Sequence, residues 1–170
     1  MIRRPLQIGL ALALNVALVP AWAQTDKKFV DSAALGGMTE VKLGQISASN
    51  GQAQAVKDFG KHMVDDHSKA NDELAGIAKT KGLTPPTALD AEHQKVVDKF
   101  SGLKGVEFDS AYWKQMLDDH KKTIALFQSE ASSGKDPEVK AFALKTLPTL
   151  KMHLQMVQDG MKTKGTKQGS

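Results

Sequence analysis

The chain has 170 residues, a formal net charge of +4 and no cysteine. This weak charge, with lysines spread among acidic residues, argues against a nucleic-acid-binding protein. The lack of cysteine excludes disulfides, a lipidated cysteine and thiolate metal ligands, so any metal site must use His, Asp, Glu or Met.

The first 23 residues have the pattern of a secretory signal peptide. Arg3 and Arg4 precede an apolar run over residues 6–20, and residues 21–23 (AWA) are typical of a cleavage site. The run is shorter than the about 20 residues that a membrane-spanning helix needs. We therefore predict cleavage after Ala23, a periplasmic or secreted protein, and a mature chain without a transmembrane segment.

The mature chain has the apolar spacing of helices. Apolar residues recur every three to four positions in four long segments, and nothing alternates convincingly with a period of two. Turn signals, mostly Gly and Pro, separate these segments. The predicted long helices span residues 26–50, 53–81, 105–133 and 137–162. The connection between the second and third contains a shorter helical stretch, residues 90–103.

Four long amphipathic helices in one small domain predict an all-α protein, a four-helix bundle. The predicted domain covers residues 24–162, and residues 163–170 lack apolar side chains and are predicted to be a disordered tail. The long second connection, with its short helix, can run the length of the bundle. That path would make the second and third long helices parallel, as in ferritin-like folds; a simple up-down order is the alternative.

A short motif occurs on two of these helices, as MVDDH at residues 63–67 and MLDDH at residues 116–120. Met and His lie four positions apart, so they share one helix face. The second Asp of each pair lies at the edge of that face, and the first turns towards solvent. Each helix therefore presents Met, Asp and His to the interior.

The other two helices add Glu40 and His153 on their apolar faces. With a rise of about 1.5 Å per residue, the three histidines fall at similar depth, and Glu40 is placed nearer the level of Met63 than of His67. The predicted metal ligands are Glu40, Asp66, His67, Asp119, His120 and His153, with Met63 and Met116 as soft ligands.

Buried acids and histidines need partners, which a metal ion or mutual pairing can supply. The first hypothesis is a non-enzymatic metal buffer or stress-related protein that holds Cu, Zn, Fe or Mn. The alternative is a structural or interaction module with a metal-free polar network. A third is a diiron oxidase, although the chain lacks the Glu-x-x-His pattern of such bundles.

No catalytic residue is assigned. The sequence has no phosphate-binding glycine loop and no nucleophile elbow, so an enzyme is not predicted. The sequence does not indicate a protein partner or an oligomeric state.

Four stretches carry a resemblance to a known family: FVDSAALGGMTEVKLGQ, VKDFGKHMVDDHSKANDELAGIAKTKGL, FDSAYWKQMLDDHKKTIALFQ and LKTLPTLKMHLQM. Over residues 29–157 the chain resembles an uncharacterised exported bacterial family, domain of unknown function 4142, often labelled predicted outer membrane protein. The resemblance implies a ferritin-like helical bundle without an established activity.

The stretch FDSAYWKQMLDDH is also similar to a second uncharacterised family, domain of unknown function 305, whose helix carries Met-x-x-His-His. That resemblance implies copper handling. The chain keeps the Met and the second His of this motif, but Asp66 and Asp119 stand where the first His would be. The implied copper chemistry therefore does not carry over to those two positions.

Overall fold

The computed structural model describes residues 21–166, and the regular secondary structure of this part of the chain is all helical. This confirms the all-α part of the predicted fold class. Between the second and third long helices lies the predicted short one. The helices are α1 (Ala21–Asn50), α2 (Gln54–Thr80), α3 (Ala91–Gly102), α4 (Gly105–Ser133) and α5 (Pro137–Thr166).

Two predicted segments lie wholly or partly outside the described residues. The predicted signal peptide is described only from Ala21, and residues 167–170 of the predicted tail are not described. α5 is helical through Thr166, four residues beyond the predicted end of the domain at Lys162. Within residues 21–166, no helix is both long enough and apolar enough to cross a membrane.

Side-chain caps determine where α3 and α5 begin. The Asp90 carboxylate accepts a hydrogen bond from the backbone N–H of His93 at 2.9 Å. Asp136 accepts from the backbone N–H groups of Glu138 and Val139, at 2.9 and 3.1 Å. Pro137 occupies the first helical position, where its missing N–H costs nothing. The predicted start of the fourth long helix is therefore confirmed.

Two buried aspartates tie each helical hairpin to the turn of the other. Asp109 of α4 accepts from the backbone N–H groups of residues 52 and 53, in the α1–α2 turn, at 2.9 and 2.8 Å. Asp26 of α1 accepts from residues 135 and 136, in the α4–α5 turn, at 3.1 and 2.8 Å. α2 and α4 therefore start at the same end of the molecule and run parallel, which decides between the two predicted orders.

These two sets of contacts are related by a constant offset along the chain. Asp109 follows Asp26 by 83 residues, and the turn residues 135–136 follow 52–53 by the same 83. The hairpins α1–α2 and α4–α5 therefore correspond to each other. The sequence keeps a trace of this offset: Gly51, Val56, Lys57 and Phe59 recur as Gly134, Val139, Lys140 and Phe142.

The apolar core consists of two clusters. The first includes Phe29 and Phe127, whose ring centroids lie 4.9 Å apart. The second includes Phe59, Tyr112 and Trp113, nearer the α1–α2 turn. The buried polar side chains of the candidate site lie beside both clusters.

α1 and α2 approach closely at Gly44 and Gly60. A Cβ atom on Gly60 would overlap Ser47 Oγ and lie only 2.9 Å from the carbonyl oxygen of Gly44. Gly76, on the same helix, has no atom within 4 Å of its Cβ position among the described residues. The two glycines therefore differ in packing, although both lie inside α2.

We expect Gly60→Ala to destabilise the protein by about 1–3 kcal/mol, because the added methyl forces α1 and α2 apart. Gly76→Ala is the control and should stabilise the protein by up to about 1 kcal/mol, because Ala favours the helix. Urea unfolding of the metal-free variants measures both. Equal effects of the two substitutions would contradict this account of the helix contact.

Candidate metal centre

One polar side chain from each long helix reaches the same point in the interior. Glu40 comes from α1, His67 from α2, His120 from α4 and His153 from α5. Their relative exposures are 3%, 8%, 0% and 0%, so all four are removed from solvent. The sequence predicted each of these four residues as a ligand.

The three histidine rings form a compact triangle. The ring centroids of His67 and His120 are 5.9 Å apart, those of His67 and His153 5.5 Å, and those of His120 and His153 5.4 Å. Each ring has a nitrogen within 4.8 Å of a nitrogen of both others. The ring centroid of Phe59 lies 6.2 Å from the ring centroids of both His120 and His153, so Phe59 covers one side of the group.

Glu40 completes the group. Its Oε2 atom lies 2.6 Å from His67 Nε2 and 3.5 Å from His120 Nε2. These contacts place one carboxylate beside two imidazole rings, but none of the three atoms has a hydrogen-bond partner of good geometry among the described residues. Glu40 Oε2, His67 Nε2 and His120 Nε2 therefore lie close together without forming well-aligned hydrogen bonds.

Hydrogen bonds fix the orientation of two of the rings. His120 Nδ1 donates to the backbone oxygen of Met116 at 2.9 Å, so in the neutral ring Nε2 carries the lone pair. His153 Nε2 lies 2.9 Å from Asp66 Oδ2, and its Nδ1 is buried without a partner in the described part of the chain. Each ring thus keeps one nitrogen unpaired.

The charges of the group follow from burial and from its own members. Burial alone would raise the pKa of Glu40, but His67 and His120 outweigh it and lower that pKa to about 2. Burial would lower the pKa of His67, and Glu40 reverses this and raises it. Burial, helped by the other two histidines, lowers the pKa of His153 to about 4. At neutral pH Glu40 is therefore an anion and His153 is neutral.

The remaining predicted ligands lie around this group. Asp66 contacts His153, as described above, and Asp119 accepts two hydrogen bonds from Gln115 Nε2 at 3.0 and 2.8 Å. Met63 and Met116 pack in the second apolar cluster. Gln115 was not predicted as part of the site, although its spacing of four residues from Asp119 on one helix was a usable signal.

Glu40 was predicted to lie nearer the level of Met63 than of His67, and its carboxylate nevertheless contacts His67 directly. Counted from the α1–α2 turn, the backbones of the two residues differ in depth by roughly 5 Å. Helical side chains tilt towards the N-terminus of their own helix. In antiparallel α1 and α2, that tilt brings the Glu40 and His67 side chains towards each other.

A groove of about 410 Å³ runs between α1, α3 and α4 and reaches Glu40. Asp119 and Lys122 of α4 line it, with Glu92 and His93 of α3. A separate cavity of about 30 Å³ lies against Glu40 and His67 among apolar side chains. The short helix α3 was predicted, but the groove beside it was not.

The family of the chain follows from its similarity to known proteins. The model of the family described as Domain of unknown function (DUF4142) matches residues 11–159. The chain belongs to this family. The first resemblance drawn from the sequence is therefore confirmed. A comparison with curated proteins finds no match.

This DUF4142 chain is similar in structure to two DUF305 proteins. A DUF305 fragment from Deinococcus radiodurans matches with a TM-score of 0.69 and 14% identity, covering 79% of this chain and 93% of that one. A putative secreted DUF305 protein from Streptomyces coelicolor matches with a TM-score of 0.70 and 15% identity, covering 83% and 92%. The likeness shows a shared helical fold, in agreement with the second resemblance.

Proposed function

We propose that the chain is an exported four-helix bundle of the ferritin-like kind that binds one divalent transition-metal ion through Glu40, His67, His120 and His153. It acts in the periplasm or outside the cell as a non-enzymatic metal buffer or stress-related protein. The observation that carries the proposal is that His67, His120 and His153, from three helices, have ring nitrogens within 4.8 Å of one another. The Glu40 carboxylate, from the fourth helix, lies 2.6 Å from the His67 ring, and His120 Nε2 and His153 Nδ1 are unpaired among the described residues.

The energetic reason is the cost of leaving such atoms unpaired. Each buried polar atom without a partner costs about 1–3 kcal/mol. A cation placed among the side chains would offer a bond to the Glu40 carboxylate and to the lone pairs of His120 Nε2 and His153 Nδ1. Asp66 would orient the His153 ring, as carboxylates do behind many metal-binding histidines.

The types of ligand favour zinc, with copper and iron next. Three imidazole nitrogens and one carboxylate oxygen suit four-coordinate Zn²⁺, and imidazole also suits copper and iron. The thioethers that would favour Cu(I) belong to Met63 and Met116, which pack among apolar side chains. We therefore place Zn²⁺ first among Cu, Zn, Fe and Mn.

A metal-free polar network is the second candidate, favoured by two contacts. Glu40 and His67 lie 2.6 Å apart, and Asp66 and His153 2.9 Å apart, so two histidines have acidic partners without a metal. The protein would then be a structural or interaction module. This candidate leaves His120 Nε2 and His153 Nδ1 unpaired among the described residues, which is why we place it second.

The diiron oxidase hypothesis gains no support from this geometry. Diiron bundles use a carboxylate from each of four helices, together with two histidines. Here Asp66 is bonded to His153 and Asp119 to Gln115. Glu40 is the carboxylate that lies among the three rings.

Cobalt substitution tests the proposal directly. We expect the untagged protein to bind one Co²⁺ per chain, with the strong visible absorption of four-coordinate cobalt, and Zn²⁺ to displace it. Metal analysis by mass spectrometry should give the same stoichiometry. Substoichiometric metal, with no rise in melting temperature on adding Zn, Cu, Fe or Mn, would reject the metal site and leave the metal-free network.

A further inference from the structure

We propose that the groove between α1, α3 and α4 is the route by which a hydrated divalent cation reaches the metal centre, and that Asp119 is a protein ligand to which it binds transiently on the way. This inference rests on the proposed function. It assigns a role to the one predicted inward acid that contacts neither the histidines nor Glu40 by hydrogen bond or ion pair in the described structure.

Glu40 connects the groove to the centre. Of the four proposed ligands, Glu40 is among the described residues that line the groove, and the three histidines are not. Glu40 is 3% exposed, and its Oε2 has no hydrogen-bond partner in the described part of the chain. A cation that moves along the groove therefore reaches Glu40 before it reaches the rings.

The volume of the groove fits a cation that still carries its water. Six water molecules occupy roughly 180 Å³, at about 30 Å³ each. The groove offers about 410 Å³. The other cavity beside Glu40 and His67 offers about 30 Å³, which is far less than six water molecules need. The groove is therefore the side from which a hydrated ion can approach.

The charge of the groove also suits a cation. Its lining carries the carboxylates of Glu40, Glu92 and Asp119 against the ammonium of Lys122. The carboxylates outnumber the ammonium, and a cleft with an excess of one sign of charge raises the association rate of an oppositely charged ligand, by about tenfold or more. Gln115 holds the Asp119 carboxylate in place, and that carboxylate has further lone pairs for an ion.

The repeated Asp-Asp pair supplies a matched experiment on charge. Asp119 lines the groove, and its neighbour Asp118 is exposed. We expect Asp119→Asn to slow Co²⁺ association, followed by stopped-flow absorbance, about tenfold. Dissociation should slow in proportion, so that the Kd stays within about threefold. Asp118→Asn makes the same change in net charge and should leave both rates within about twofold.

Two glycines supply a matched experiment on space. Gly36 lines the groove four residues before Glu40, and its Cβ position has no atom within 4 Å among the described residues. Gly76 is equally open but lies on the outside of α2. We expect Gly36→Leu to narrow the groove and slow association, and Gly76→Leu not to. Metal-free melting temperatures of both variants show that they fold.

The outcomes separate this inference from the metal site itself. The route is supported if Asp119→Asn and Gly36→Leu slow Co²⁺ association at unchanged Kd and the controls Asp118→Asn and Gly76→Leu do not. A weaker Kd for Asp119→Asn at unchanged association rate makes Asp119 a resident ligand and overturns the route. Equal slowing by Asp118→Asn, or unchanged rates in both groove variants, also overturns it. If the wild-type protein binds no cobalt, the proposed function fails, and this inference fails with it.

Discussion

Replacement of His120 by alanine is expected to abolish metal binding and the stabilisation that metal gives to the native protein. His120 is fully buried, and its Nδ1 donates a hydrogen bond to the Met116 carbonyl oxygen. The lone pair of the neutral ring is therefore on Nε2, the nitrogen that would bind the metal. At a free Zn²⁺ concentration of 100 times the Kd, the wild-type protein should gain about 2.7 kcal/mol. That gain corresponds to a rise in melting temperature of roughly 5–10 °C for a domain of this size.

Thermal unfolding with and without Zn²⁺ measures this effect. His62→Ala is the matched control, because His62 is an exposed histidine on α2, five residues before His67. His62→Ala should keep the full zinc-dependent shift, and His120→Ala should lose it. If both variants keep the shift, or both lose it, the zinc ions bind elsewhere on the surface.

Replacement of Glu40 by glutamine should cost the metal-free protein about 3 kcal/mol at neutral pH. The histidines hold the pKa of Glu40 at about 2 against an ordinary value of 4.5. A tenfold change in a group's acidity on folding corresponds to about 1.4 kcal/mol of stability. A lowered carboxyl pKa stabilises the native state above the unfolded-state pKa. This stability is lost as the pH falls from about 4.5 to about 2, so the difference between the two proteins should shrink over that window.

Urea unfolding in the presence of a chelator, at pH 7 and near pH 3, tests this dependence. Glu92→Gln is the control, since Glu92 is an exposed carboxylate on α3 whose loss should change stability little. A Glu40→Gln protein as stable as the wild type at pH 7 would show that the Glu40–His67 contact contributes nothing without metal. Together with the zinc experiment, this result separates the metal site from the metal-free network.

The parts of the fold that depend on local pattern were predictable. The four long helices and α3 follow from apolar spacing, and Asp136 with Pro137 marks the start of α5 through local capping. The inward faces of His67, His120 and His153 follow from helical geometry in the same way. None of these features depends on how the helices are rotated against one another.

The rest depends on rotation and tilt, which the sequence does not encode locally. Asp66 and Asp119 occupy equivalent places in the repeated motif, yet one contacts His153 and the other bonds to Gln115 beside the groove. The neighbours of α2 and α4 differ, so nearly the same local sequence meets different partners. The direct contact between Glu40 and His67 has the same origin, because helix rise alone ignores side-chain tilt.

The offset of 83 residues between the hairpins has a consequence for the history of the interior. Shifted by that offset, the four proposed ligands fall on residues without metal-binding side chains: Thr123, Leu150, Gly37 and Ala70. All four line the cavity of about 30 Å³. Fusion of two copies of an ancestral helical hairpin would produce two such positions in one chain. On that view, one copy of the pocket carries the carboxylate and the three imidazole rings, and the other carries small and apolar side chains that pack in the core.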